Sequence, residues 1–131
     1  MKILITGASG FIGSALIPVF IQSGHEIVAT SRRKNFKFEG VKIYSITDLG
    51  PYTKWEDILK GVEIVVHLAA RVHVMNDKKN DPLNEYRRIN SEGTRKLVMD
   101  SIKANVKKFI FLSTIKVNGE TNLIPFRSSD I

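Results

Sequence analysis

Two hydrophobic rhythms alternate along the chain. Five short runs are apolar at nearly consecutive positions and rich in β-branched residues. They are KILIT (2–6), EIVAT (26–30), VKIYS (41–45), VEIVVHLAA (62–70) and KKFIFLST (107–114). Their length and composition predict strands. Between them, apolar residues recur at spacings of three and four. Over 11–23, Ile12, Ala15, Leu16, Val19 and Phe20 share one helical face, and Gly24 follows as a C-terminal cap. Pro18 lies inside this helix and removes a backbone donor, which predicts a kink or local widening. Residues 53–60 predict a short helix. Asp81 followed by Pro82 is an N-cap with proline at the first helical position. The helix it starts is predicted to run to about Ala104, with Tyr86, Ile89, Gly93 and Leu97 on its packed face. Residues 71–81 read as a loop with a polar, flexible end, and the chain turns irregular after Gly119.

Several strands are apolar on both faces, and strands alternate with helices. That pattern predicts an α/β fold with a parallel sheet covered on both sides. The length of 131 residues suits a single domain spanning 1–131, and 43% hydrophobic residues suffice for a core. No cysteine is present, so disulfides and cysteine-based metal sites are excluded, and no metal site is expected. No apolar run reaches membrane-spanning length, and the N-terminal run is too short and glycine-rich for a signal peptide. A cytoplasmic, soluble protein is expected, with no membrane partner. The net charge of +7 falls in small groups: Arg32 to Lys34, Lys78 and Lys79, Arg87 and Arg88, Lys107 and Lys108. Scattered over different elements without interleaved aromatics, they read as solvated surface rather than a nucleic-acid face.

The first strand runs into GASGFIG, and a helix follows at once. A strand, three glycines and a helix form the opening βα unit of a dinucleotide-binding fold. Gly7 permits the turn, Gly10 leaves room for a pyrophosphate, and Gly13 lets the helix pack closely. Helix N-terminal N–H groups then face the phosphates. The expected contacts are Gly7, Ser9, Gly10, Phe11, Ile12 and Gly13.

The three-residue spacing of the glycines resembles the extended short-chain dehydrogenase/reductases, specifically the NAD-dependent epimerase/dehydratase family of nucleotide-sugar enzymes. Asp48-Leu49 after the third strand, HLAA (67–70), NSEGT (90–94) and FLSTIKVNG (111–119) match the family in order. The resemblance spans the whole chain. It implies a Rossmann-type doubly wound parallel sheet of about five strands in the order 3-2-1-4-5. It also implies that Asp48 bonds the adenine amino group while Leu49 packs on the ring, though Asp48 could simply cap the next turn. Leu68, Ala69 and Ala70 would form a small apolar wall beside the cofactor, though ordinary strand-end packing fits them too. Asn90 would tie the helix to the sheet beneath the site. Thr114 would hydrogen-bond the sugar hydroxyl or keto oxygen; Ser113 could act instead, or both could merely satisfy the strand end. IKVNG suggests a branch that handles N-acetylated nucleotide-sugars. His67 reads as a satisfied core residue and receives no catalytic role.

At the end of the second strand, where a carboxylate would bond the ribose 2′-hydroxyl, stand Ser31, Arg32 and Arg33. A guanidinium pair suits a 2′-phosphate, so the cofactor is expected to be NAD or NADP, with NADP favoured and Arg32 the contact; surface charges are the alternative. The family's base, a tyrosine with a lysine four residues on, is absent: the residues at that offset from Tyr44, Tyr52 and Tyr86 are Asp48, Glu56 and Asn90. The expectation is the N-terminal portion of an NAD(P)-dependent epimerase, dehydratase or 4-keto reductase acting on a UDP- or dTDP-sugar. Such a portion would be inactive alone, with an unprotected fifth strand that favours homo-oligomers. A stand-alone NAD(P)-binding or sensing module is the alternative.

Overall fold

The central strand β1 (Lys2–Thr6) is buried from Ile3 to Thr6 and pairs in parallel with strands on both sides. In the computed structural model, which describes residues 1–72, 81–119, 121, 124, 125 and 127, the sheet holds five parallel strands. These are β1, β2 (Glu26–Ser31), β3 (Lys42–Ser45), β4 (Ile64–His67) and β5 (Lys108–Phe111), in the order β3-β2-β1-β4-β5. Alternate side chains along each strand serve opposite faces. Ile3, Ile5, Ile27, Ala29 and Val66 meet Ile17 of helix α1 (Phe11–Gln22) on one face. Leu4, Val28 and Val65 meet Trp55, Leu59, Ile89 and Leu97 on the other. The doubly wound Rossmann-type architecture and strand order anticipated from the sequence are therefore present.

Helix α1 continues through Pro18. It ends in a Schellman motif: Gly24 N–H donates to Ile21 O at 2.9 Å, and His25 N–H to Phe20 O at 3.0 Å. Gly24 takes the left-handed φ of 75° that this cap requires. The predicted single helix from 82 to 104 is instead three segments. Helix α2 (Pro82–Tyr86) is capped by the Asp81 carboxylate, which accepts from Asn84 N–H at 3.0 Å. A π-helical turn (Arg87–Gly93) follows, then helix α3 (Thr94–Lys103).

Residues 53–60 do not form the predicted helix. They make turns, with one helix-like bond from Leu59 N–H to Trp55 O at 2.8 Å. Trp55, Ile58, Leu59 and Val62 are all buried. Packing of these four anchors holds so short a segment better than a helix whose nucleation costs more than it returns. Strands β4 and β5 are shorter than predicted because both stop level with β1, in the register Thr6–His67–Phe111. Most of the predicted 71–81 loop lies outside the described residues.

Candidate functional site

The carboxyl ends of β1, β2 and β4 open onto a crevice of about 830 Å³. Its floor is the turn from β1 into α1. Gly7 has φ of 67°, and a Cβ there would lie 2.8 Å from Ala69 N. Glycine is needed twice over, for the turn and for the approach of the chain leaving β4. A Cβ on Gly13 would lie 2.6 Å from Gly7 O, so the helix sits directly on the turn. No side chain caps the N-terminus of α1, and its first turn carries no acidic residue. Phe11, Ile12 and Gly13 of that turn line the crevice. Unpaired N–H groups and the positive end of a helix dipole therefore face it.

Ser31 is buried at the end of β2. Its hydroxyl donates to Ser9 Oγ and accepts from Arg33 N–H, each at 3.0 Å. The turn is thus tied to the end of β2, and Arg32 and Arg33 line the same crevice. Asp48 and Leu49 come from the segment after β3, and Leu49 is buried against the core. Both oxygens of Asp48 are held by Arg88, at 2.5 and 2.9 Å. Asp48 and Glu85 together raise the Arg88 guanidinium above its ordinary value.

Opposite, Leu68, Ala69 and Ala70 form the wall. The Thr6 hydroxyl oxygen accepts from Leu68 N–H at 3.1 Å and Ala69 N–H at 3.2 Å. With both lone pairs used, its proton goes to His67 Nδ1 at 2.7 Å. His67 Nε2 therefore carries the ring proton and donates to Thr94 Oγ1 at 2.9 Å. Burial pushes the His67 imidazole down to about 4. It is a neutral pin between sheet and helix, in line with its reading as a core residue.

Thirteen of the cofactor contacts anticipated from the sequence line this crevice; Asn90 does not. Its amide instead accepts from Arg71 N–H at 2.7 Å and donates to Arg71 O at 2.9 Å. That holds the chain beyond the wall as a paired strand would. Ser113 and Thr114 follow β5 and do not line the crevice, whereas Leu112 does. Sequence reasoning missed Thr30, Ile46, Val72, Ile89 and Leu112 as lining residues. Thr30 and Ile46 stand at the ends of β2 and β3, where that position was the signal. Ile89 precedes Asn90, inside the helix already singled out. The Thr30 hydroxyl is buried with no partner. The bare glycines, the uncapped helix and this orphaned hydroxyl fit a phosphate-bearing ligand. Among the described residues, no group of acids and histidines could hold a metal, and no helix is long and apolar enough to cross a membrane.

A parallel sheet in this order, with a glycine turn feeding an uncapped helix at its carboxyl edge, defines a Rossmann-type domain. The family model for the NAD-dependent epimerase/dehydratase family matches residues 3–131, and the chain belongs to that family. It is 40% identical over 131 residues to a UDP-glucose 4-epimerase of Vibrio cholerae, covering 98% of this chain and 40% of that protein. The structure of MoeE5 in complex with UDP-glucuronic acid and NAD is similar, with a TM-score of 0.75 and 32% identity over 93% of this chain and 40% of that one. The UDP-Glc/GlcNAc 4-epimerase of Campylobacter jejuni gives a TM-score of 0.82 and 26% identity over 99% of this chain and 42% of that one. The chain spans about 40% of the length of each.

Proposed function

We propose that the crevice binds a nicotinamide adenine dinucleotide and that the chain is the cofactor-binding part of a nucleotide-sugar epimerase, dehydratase or 4-keto reductase. The observation that carries this reading is the uncapped N-terminus of α1, set beside Gly7 and Gly10 in the lining of the crevice. Gly7, Ser9, Gly10, Phe11, Ile12 and Gly13 take the pyrophosphate, Ser31 and Arg32 the adenosine ribose, and Asp48 and Leu49 the adenine. Leu68, Ala69 and Ala70 wall the nicotinamide side, with Asn90 holding the chain beyond them. The cofactor, when bound, supplies a hydride donor and acceptor. With no acid at Ser31 and two guanidiniums beside it, the site accepts NADP as well as NAD.

The substrate is proposed to be a UDP- or dTDP-linked sugar. The relatives' names support this class: UDP-glucose 4-epimerase for one and a UDP-glucuronic acid complex for another. Thr114, or Ser113 beside it, bonds the reacting sugar oxygen. The 131 residues contain no tyrosine followed four positions later by lysine, so the chain alone performs no turnover. The proposal keeps the cytoplasmic location expected of a cysteine-free chain.

Calorimetric titration with NAD and NADH tests the binding reading; no saturable binding of either redox form sinks it. A UDP-glucose to UDP-galactose conversion assay tests the second claim, and turnover proportional to chain concentration refutes it.

A further inference from the structure

Arg88 is not among the residues lining the crevice, yet it grips one that is. Its Nη1 donates to Asp48 Oδ2 at 2.5 Å and its Nη2 to Asp48 Oδ1 at 2.9 Å. The other edge of the guanidinium is engaged too: Nε donates to Glu85 Oε2, and Nη2 to Glu85 Oε1, each at 3.0 Å. A planar fork held on two edges has a single orientation. The Glu85 side chain is 18% exposed and that of Asp48 54%. Positional order therefore passes from the shielded end to the crevice.

The backbone beneath is closed up. A Cβ on Gly50 would lie 2.5 Å from Arg88 Nη1, and one on Gly93 would lie 3.2 Å from Gly50 Cα. The segment carrying Asp48 is thus seated on the π-helical turn that carries Arg88. Such turns are rare and recur at functional sites.

An ionised carboxylate has about four acceptor positions, so the fork does not exhaust it. What the fork removes is rotation. We propose that Glu85 and Arg88 are positioning residues that aim the Asp48 carboxylate at the exocyclic amino group of a purine, giving the site its preference for adenine over hypoxanthine. The inference rests on the reading of Asp48 as the adenine contact. Adenine presents a donor there; hypoxanthine presents a carbonyl oxygen, which a fixed carboxylate repels. A freely rotating carboxylate would turn aside and discriminate less.

The test compares dissociation constants for NAD and nicotinamide hypoxanthine dinucleotide in the unaltered chain, Asp48→Ala, Arg88→Ala and Arg88→Lys. The unaltered chain is expected to favour NAD about tenfold, as for a hydrogen bond to a charged acceptor. Arg88→Ala and Arg88→Lys are expected to bring that ratio down to about threefold or less, and Asp48→Ala to about one. A general loss of stability would weaken both ligands together and leave the ratio alone. If Arg88→Ala does not fold, Arg88→Lys decides, since it keeps the charge and loses the fork. A ratio unchanged in Arg88→Lys overturns the positioning role. A ratio unchanged in Asp48→Ala overturns the adenine reading itself, and the inference with it. So does an unaltered chain that holds neither dinucleotide.

Discussion

The Thr6 hydroxyl donates to His67 Nδ1 across 2.7 Å, deep in the sheet, while its oxygen accepts the N–H groups of Leu68 and Ala69. One threonine thereby ends β1, orients the imidazole and bends the chain leaving β4 into the crevice wall. The wall is positioned by buried polar bonds, which are strong because water does not compete for them.

This arrangement makes stability depend on pH. Burial holds the His67 imidazole at about 4, against 6.5 for a free histidine. Between those values the unfolded chain binds the proton and the folded chain does not. The contribution is therefore complete above pH 6.5 and is lost as pH falls towards 4. Its full size is on the order of 3 kcal/mol. Urea unfolding between pH 7 and 4 is expected to show this loss, and His67→Gln to flatten the slope. An equal slope in the variant would falsify the assignment to His67.

The glycine turn separates folding from binding. A methyl on Gly13 meets Gly7 O at 2.6 Å and Ala8 Cα at 2.8 Å, so Gly13→Ala is expected to destabilise by about 1–3 kcal/mol. A methyl on Gly10 finds only Gly7 O, at 3.2 Å, and its φ of −82° suits any residue. Gly10→Ala is expected to change stability by less than about 1 kcal/mol. It also puts a methyl where phosphate would meet backbone, so NAD affinity is expected to fall about tenfold or more. Thermal unfolding and titration on both variants check the contrast. Normal NAD binding by Gly10→Ala would count against the phosphate turn.

The parts of this site that were legible in the sequence are those whose geometry is local. The turn and α1 each follow from a few consecutive positions, and the alternation of strands and helices set a parallel sheet, whereas Asp48 and Leu49 were reached only through the family resemblance. What stayed hidden depends on contacts between distant segments. Arg88 and Glu85 could be seen as neighbours on a helix, but Asp48 lies forty residues away from Arg88 and only the fold brings it there. Asn90 was placed beneath the site, yet its partner, the Arg71 backbone, has no side-chain signature to read. The π-helical turn escaped because its apolar spacing passes for an ordinary helix. The 53–60 segment differs for a related reason: its apolar spacing is helical, but burial of Trp55, Ile58 and Leu59 is satisfied by turns.

If the crevice holds the proposed dinucleotide, Arg32 is expected to bear on cofactor choice. Ser31 points back to Ser9 and is buried, so no carboxylate stands where a 2′-phosphate would be repelled. Arg32 and Arg33 line the crevice and are exposed. NADP is expected to bind within about tenfold of NAD, and Arg32→Ala to weaken NADP about tenfold while leaving NAD nearly unchanged. Competitive titration of the two cofactors measures this. Much tighter NAD binding, with NADP indifferent to the substitution, would remove Arg32 from the site.

Strand β5 closes the sheet on one side without a further strand beside it among the described residues. Ile110, Phe111 and Leu112 are about half exposed there. An apolar edge with open backbone groups is a template for pairing with another chain. The 131-residue chain is expected to self-associate through this edge, with species larger than a monomer growing as concentration rises from micromolar towards millimolar. Ile110→Lys adds a charge to the edge at a half-exposed position, and it is expected to shift the population to monomer with little loss of thermal stability. Sedimentation equilibrium decides between the two states. A monomer throughout the range would sink the expectation, and so would association that Ile110→Lys leaves untouched.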